Sequence, residues 1–374
     1  MTAAQTIPPA SAAATTTTAT PAHPVGRLGG RTTFRLRRPP VSGVLRGRLV
    51  AVCAALAALT FAALCGDVMI GDFGLGVGEV LGGIFGTGSP DAVFIVQDLR
   101  LPRVLVGLLV GIAFGIGGAL LQTITRNPLA SPDTIGITAG GTTAVVAGIV
   151  LGLESPAGAL GLSLAGAVAT ALAIYLLAWK GGTTGYRIVL VGVAVSWICA
   201  SLTQFLLARA NVYQAQEAVG WLVGNINGRG WENVVPLAVA MAVLVPPVLA
   251  LHRWAQALQL GDDLARGIGV PVHAARLVLL LAGVCLVAFA AAAAGPVAFV
   301  SLAAPQIAQR LAGLAWPPLV ASALTGALMV LASDVVARTI VPDTELPVGV
   351  VTGVLGAPFL FWLLTRANRI GTGG

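Results

Sequence analysis

Apolar residues fall into ten long runs along the chain, at 49–66, 99–124, 135–153, 157–179, 188–208, 233–251, 276–294, 297–312, 318–337 and 346–364, separated by polar or charged stretches or by Gly/Pro breaks. A helix needs about 20 such residues to cross the hydrocarbon layer of a bilayer. The pattern predicts an all-α polytopic membrane protein of about ten transmembrane helices, with both termini on one side. The run at 297–312 is the weakest, being short and holding Pro305. Residues 1–45 are rich in Ala, Thr and Pro, then in Arg. They read as a disordered cytoplasmic tail ahead of a transmembrane domain at 46–374. The polar stretch is too long for the basic region of a signal peptide.

Two interruptions are too long to be simple turns. One, at 209–232, carries Tyr213, Trp221 and Trp231, which suit the membrane interface. The other, at 252–275, places Asp262 and Asp263 in the first turn of a short helix, where acids favour the helix dipole. Gly267, Gly269 and Pro271 then end it. A short amphipathic helix of this kind is a natural docking element for a soluble partner.

Composition agrees with the membrane reading. Hydrophobic residues make up 57% and charged residues 9% of the chain, against about 25% charged in soluble domains. The net charge of +7 comes from position and not from a nucleic-acid-binding face. Seven arginines (Arg27, Arg31, Arg35, Arg37, Arg38, Arg46 and Arg48) precede the first run. With the N-terminus cytoplasmic, sixteen basic residues face inward. Arg100, Arg103, Arg209, Arg229 and Arg338 remain outside. That bias is the positive-inside rule. Cys53, Cys65, Cys199 and Cys285 lie apart in or beside apolar runs and read as small hydrophobes, with no metal site. Gly107, Gly111 and Gly115, four residues apart, allow close helix packing in lipid.

Several chemistries lack their residues. The single lysine, Lys180, follows Trp179, so no phosphate-binding G-x-x-x-x-G-K-[ST] loop exists. The chain is therefore no ATPase. His23, His252 and His273 all lie outside the apolar runs. Asp334 is the main acid within a run. An ion-coupled secondary transporter, the rival from another class, would need more ionisable groups at mid-membrane.

The stretch LRLPRVLVGLLVGIAFGIGGALLQTITRNPLASPDTIGITAGG resembles the FecCD family, the permeases of iron-siderophore and vitamin B12 importers. GVPVHAARL, GPVAFVSLAAPQIAQRLAG, SDVVAR, ELPVGVVTGVLGAPFLFWLL and the loop WLVGNINGRGW extend the resemblance over about residues 50–366. It implies the type II fold of ATP-binding-cassette (ABC) importer permeases, with ten helices per subunit, in the plasma (inner) membrane. A second permease, identical or paralogous, would face this one across a translocation path. Two ATPase subunits, carrying ATP and Mg, would dock from the cytoplasm, and an external binding protein would deliver ligand. A ferric siderophore leads vitamin B12 and haem as cargo.

The resemblance also implies roles for particular residues. Arg100, Arg103 and Arg338 match arginines that pair with glutamates of the binding protein; the alternative is snorkelling to headgroups. Asn127 and Leu129 match a cytoplasmic gate. The second gate loop aligns with Thr184, Gly185 and Tyr186, where the family has a Thr-Ser pair. Asp262, Asp263, Arg266, Gly267, Gly269 and Val270 fall in the coupling helix that engages the ATPase. Gln122, Thr125 and Asn127 are expected to line the path.

Overall fold

The computed structural model describes residues 25–28, 31–36, 41–71, 73–153, 156–178, 185–341 and 344–371. In the stretch read from composition as a disordered tail, three short strands, β1 (Val25–Leu28), β2 (Arg31–Leu36) and β3 (Val41–Leu45), pair antiparallel in that order. The β-branched pair in β2 favours extended backbone.

The remainder is helical. Helix α1 covers Gly47–Met69, followed by the short α2 (Val77–Phe85) and α3 (Pro90–Phe94). Ser89 caps α3 by accepting from the Ala92 amide at 3.3 Å, and Pro90 fits its first turn. A π-helical turn at Ile95–Arg100 joins α3 to α4 (Leu101–Thr125). Then come α5 (Ile137–Val150), α6 (Pro156–Ala178), α7 (Gly185–Arg209), α8 (Val212–Leu222) and α9 (Trp231–Ala250). Two short helices come next, α10 (His252–Gln259) and α11 (Asp262–Gly267). The chain finishes with α12 (Val272–Ala294), α13 (Val300–Ala312), α14 (Leu319–Thr339) and α15 (Val348–Gly371).

Each of the ten apolar runs coincides with a helix, yet only seven helices among the described residues are long and apolar enough to cross a bilayer unaided. Helices α5 and α13, at 14 and 13 residues, are short of that length. At 1.5 Å per residue they reach about 20 Å, against roughly 30 Å of hydrocarbon. Ala130, Ser131 and Ile135 are buried, so the loop after α4 folds back among the helices. Non-helical backbone at that depth is tolerated because protein surrounds it.

Helix α4 is the axis of the bundle. Of the apolar window in the continuous helix Pro90–Thr125, 78% is buried, against 11% for α1 and 17% for α7. Large apolar side chains such as Phe61 on α1, Trp197 and Phe205 on α7 and Phe361 on α15 are exposed. Water could not cover so wide an apolar surface, whereas lipid or a second membrane chain can.

Glycines let α4 approach its neighbours backbone to backbone. A Cβ on Gly111 would lie 2.5 Å from the Gly326 carbonyl of α14, and one on Gly115 would lie 2.3 Å from that of Ser322. Gly118, which the four-residue spacing does not pick out, sits tightest, 1.8 Å from the Ser301 carbonyl of α13. Gly107 has only ordinary contacts, beginning at 3.4 Å. Gly115→Val should therefore cost about 1–3 kcal/mol through forced separation of α4 and α14, and Gly107→Ala should be nearly neutral. Unfolding midpoints in detergent check this; equal midpoints for the two variants would rule out backbone contact as the cause.

Candidate functional site

Two polar clusters lie at opposite ends of α4. At its start, Arg100, Arg103 and Arg338 come together with Asp67, Asp334 and Glu345. Arg103 grips Asp334 in a fork, Nε to Oδ2 at 3.1 Å and Nη2 to Oδ1 at 2.9 Å. Its Nη1 donates to both oxygens of Glu345 at 3.0 Å. Arg338 pairs with Asp67 and with Asp334 at 3.3 Å, and donates to the Ile70 carbonyl at 2.7 Å. Arg100 donates to the carbonyls of Val68 at 3.1 Å and Met69 at 3.2 Å.

The resemblance implies an external cationic dock; the three side chains are largely buried against the helices. Arg100 is 6% exposed, and the side chains of Arg103 and Arg338 are 11% and 6% exposed. The charges of Arg103 and Arg338 are matched within the chain, and Arg100 is held by backbone carbonyls. The accessible member of the cluster is Glu345, whose side chain is 38% exposed. Asp334 lies one helical turn before Arg338 on α14, whereas Arg103 reaches it across 231 residues and Arg338 reaches Asp67 across 271.

At the other end, Arg126 caps α4 in the left-handed region, with φ 52°. Its Nε donates to the Leu258 carbonyl at 2.8 Å and its Nη2 to the Asp262 carboxylate. Asp262 also accepts from the buried Arg276 at 3.0 and 3.2 Å. Burial pushes the Asp262 carboxyl up. The charges and hydrogen bonds of Arg276 and Arg126 outweigh this and hold it below the usual carboxylate range.

Asp262 opens α11, and its neighbours face the other way. The Asp263 side chain is fully accessible apart from a 3.3 Å pair with Arg266. Leu264 and Ile268 are exposed, and Ala265 is buried. Gly269, with φ 84°, ends the turn, and the Val270 amide donates back to the Ala265 carbonyl at 3.0 Å. Gly267 closes α11 on its exposed side.

The gate candidates Asn127 and Leu129 sit directly after Arg126. Asn127 Oδ1 accepts from the Leu129 amide at 2.9 Å, a turn closed by its own side chain. Leu129 is exposed. Gly185 begins α7 and Tyr186 is exposed on its first turn. Thr184 lies outside the described residues.

Gln122 and Thr125 do not line an open path. Gln122 is buried between α4 and α13, donating to the Leu302 carbonyl at 3.0 Å and accepting from Gln306 at 2.7 Å. Thr125 is buried and donates to the Leu121 carbonyl at 2.7 Å. Asp133, which sequence reasoning did not single out, is enclosed with one oxygen accepting from Ser301 at 3.4 Å. A cavity of about 1200 Å³ opens beside α5, α8 and the loop before α9, where Asn227, Arg229 and Glu232 meet apolar Val145 and Ile149. The free cysteines are partly buried except Cys65, which is exposed on α1.

The arginine-end cluster sets a clear expectation. Arg103→Ala leaves the enclosed Asp334 without its fork and should cost about 3–5 kcal/mol. Replacing the pair by Arg103→Met with Asp334→Leu should recover most of it. Unfolding in detergent measures both; a single variant as stable as the parent would show that the pair does not hold α4 to α14.

The profile of the FecCD transport family matches residues 55–366. The ferric enterobactin transport system permease protein FepG of Escherichia coli is 36% identical over 323 residues, covering 86% of this chain and 98% of that protein. The achromobactin transport system permease protein CbrC of Dickeya dadantii is 39% identical over 315 residues, covering 83% of this chain and 90% of the relative. A solved structure of an ABC transporter assigned to the metal-chelate type, in an inward-facing conformation, superposes with a TM-score of 0.74 at 26% identity, covering 85% of this chain and 99% of that one. A match along nearly the whole bundle, in profile, sequence and shape together, is the mark of common descent: this chain belongs to the FecCD transport family.

Proposed function

We propose that this chain is the membrane-spanning permease subunit of an ATP-driven importer for a ferric siderophore. It works with a second permease, identical or paralogous, two ATPase subunits and an external binding protein. The observation that carries the reading is the family match along nearly the whole bundle, with relatives whose names specify ferric chelates. All ten apolar helices cross or enter the inner membrane, with both termini and α11 in the cytoplasm and the Arg103 cluster outside. The positive-inside bias supports that orientation. The exposed face of α11 meets the ATPase, and the turn at Asn127 and Leu129 forms part of the inner gate.

The test is reconstitution. Permease, ATPase and binding protein in proteoliposomes should take up radio-iron as a ferric chelate, from a panel of catecholate, hydroxamate and citrate complexes. Uptake should require ATP on the ATPase side, and the purified permease alone should hydrolyse none. Uptake driven by an ion gradient without the ATPase would favour a secondary transporter instead.

Docking of the binding protein centres on Arg103, the arginine of the three that is tied to an accessible acid. A partner carboxylate would take the place of Glu345 on Nη1. Glu345→Gln should then tighten binding-protein affinity and steepen its loss with salt, since a charged fork is released. Affinity in detergent at low and high salt checks this, and no change in either quantity would remove Arg103 from the interface.

A further inference from the structure

The reading of α11 as the ATPase-facing helix leaves open how its movement reaches the gate. Its two faces divide the work. Leu264 and Ile268, four residues apart and exposed, share the outward face with Asp263. Asp262 and the buried Ala265, three residues apart, share the inward face. Asp262 is therefore turned away from any docked ATPase.

Arg126 receives that inward face. A non-glycine residue in the left-handed region is disfavoured by its Cβ and persists only when its surroundings hold it. Among the described residues only Arg126 and Phe299 do this without being glycine. The Arg126 side chain is anchored on the cytoplasmic helices, at the Leu258 carbonyl of α10 and the Asp262 carboxylate of α11. A further tie, Gln259 Nε2 to Thr123 Oγ1 at 3.1 Å, joins the end of α10 to the last turn of α4.

The chain beyond Arg126 is braced by local hydrogen bonds. Its neighbour Asn127 closes the turn onto Leu129, and the Ala130 amide donates to the Asn127 carbonyl at 3.2 Å. A change at Arg126 therefore carries 127–130 with it as a unit. Arg276, buried near the start of α12, holds the same Asp262 carboxylate, sharing Oδ1 with Arg126 and reaching Oδ2 as well. The carboxylate is shared between the gate loop and a core helix.

We propose that Asp262 is the positioning residue through which α11 moves the gate: it ties the coupling helix to Arg126, whose left-handed backbone sets where Asn127 and Leu129 stand. A shift of α11 under the ATPase repartitions Asp262 between Arg126 and Arg276, and the turn at 127–130 moves with it. This rests on the reading of α11 as the ATPase contact.

The experiment uses the whole complex in nanodiscs, with Cys53, Cys65, Cys199 and Cys285 replaced and Leu129→Cys introduced as a reporter. The labelling rate of that thiol by a polar maleimide is read without nucleotide and with the ATPase trapped by ATP and vanadate. Trapping should change the rate by about fivefold or more in the parent, and by less than about twofold in Asp262→Asn and in Arg126→Gln, on the scale of ordinary coupling between sites. The ATPase should still copurify with both variants, because the Leu264–Ile268 face is intact. Arg126→Lys, which keeps the charge, should recover part of the response.

Three results would overturn the linkage, and they differ. A full response in both variants would mean that the gate moves by another route, with the α11 reading untouched. Loss of the ATPase in step with loss of response would make Asp262 part of the docking surface. No nucleotide response in the parent would remove the α11 reading and the linkage together.

Discussion

Hydrocarbon offers polar groups no partner, and most of this structure stems from that one constraint. Charges and amides that lie among the helices are mostly matched by other groups of the chain. Arg103 finds Asp334, Arg338 finds Asp67, and Gln122 finds Gln306. The loop after α4 can fold back to buried depth because Asn127, Ser131 and Thr134 satisfy its backbone locally. The same constraint explains the glycines. Lipid tails are as apolar as leucine, so helices gain by backbone contact and not by expelling water. Gly111, Gly115 and Gly118 supply that contact on α4, and Gly326 returns it from α14.

Much of the architecture was legible in the sequence for the same reason. A run of about 20 apolar residues has few alternatives to a buried or lipid-facing helix, and all ten runs became helices. Lengths were less legible. Nothing in residues 126–136 marks them as returning into the bundle, because their burial depends on α7 and α13 being beside them. The short helices α2, α8 and α10 also went unassigned, since each is too brief for periodicity to separate it from a loop. Asn211 and Gln214, which cap α8 reciprocally at 2.9 and 3.2 Å, were the signal that could have found it.

The candidate sites divide along a similar line. Features set by local chain geometry were legible: the acid-led first turn of α11, its glycine-ended last turn, and the N-P turn after α4. Roles that depend on distant partners were not. Arg103 looked like a free cation because the sequence separates it from Asp334 by 231 residues. Gln122 looked like a path-lining amide because its partner, Gln306, is 184 residues away. A charge count over loops fixes which end is more basic, but it is blind to pairing, and pairing decides what a partner protein can touch.

The two clusters also constrain how such a chain can move. Helix α4 spans about 37 Å by its 25 residues, and it carries one cluster at each end. Its middle is pressed onto α13 and α14 through carbonyls that a single added methyl would strike. Helices packed that closely resist sliding, since any shift drives backbone into backbone. Movement therefore belongs to elements without such contacts. Helices α1 and α7 have few buried apolar positions, and α11 is joined to the bundle by polar groups that can exchange partners. The frame of α4, α13 and α14 is thus the part least able to slide, and α11, whose Asp262 is shared by Arg126 and Arg276, is the part whose contacts can be exchanged without moving backbone through backbone.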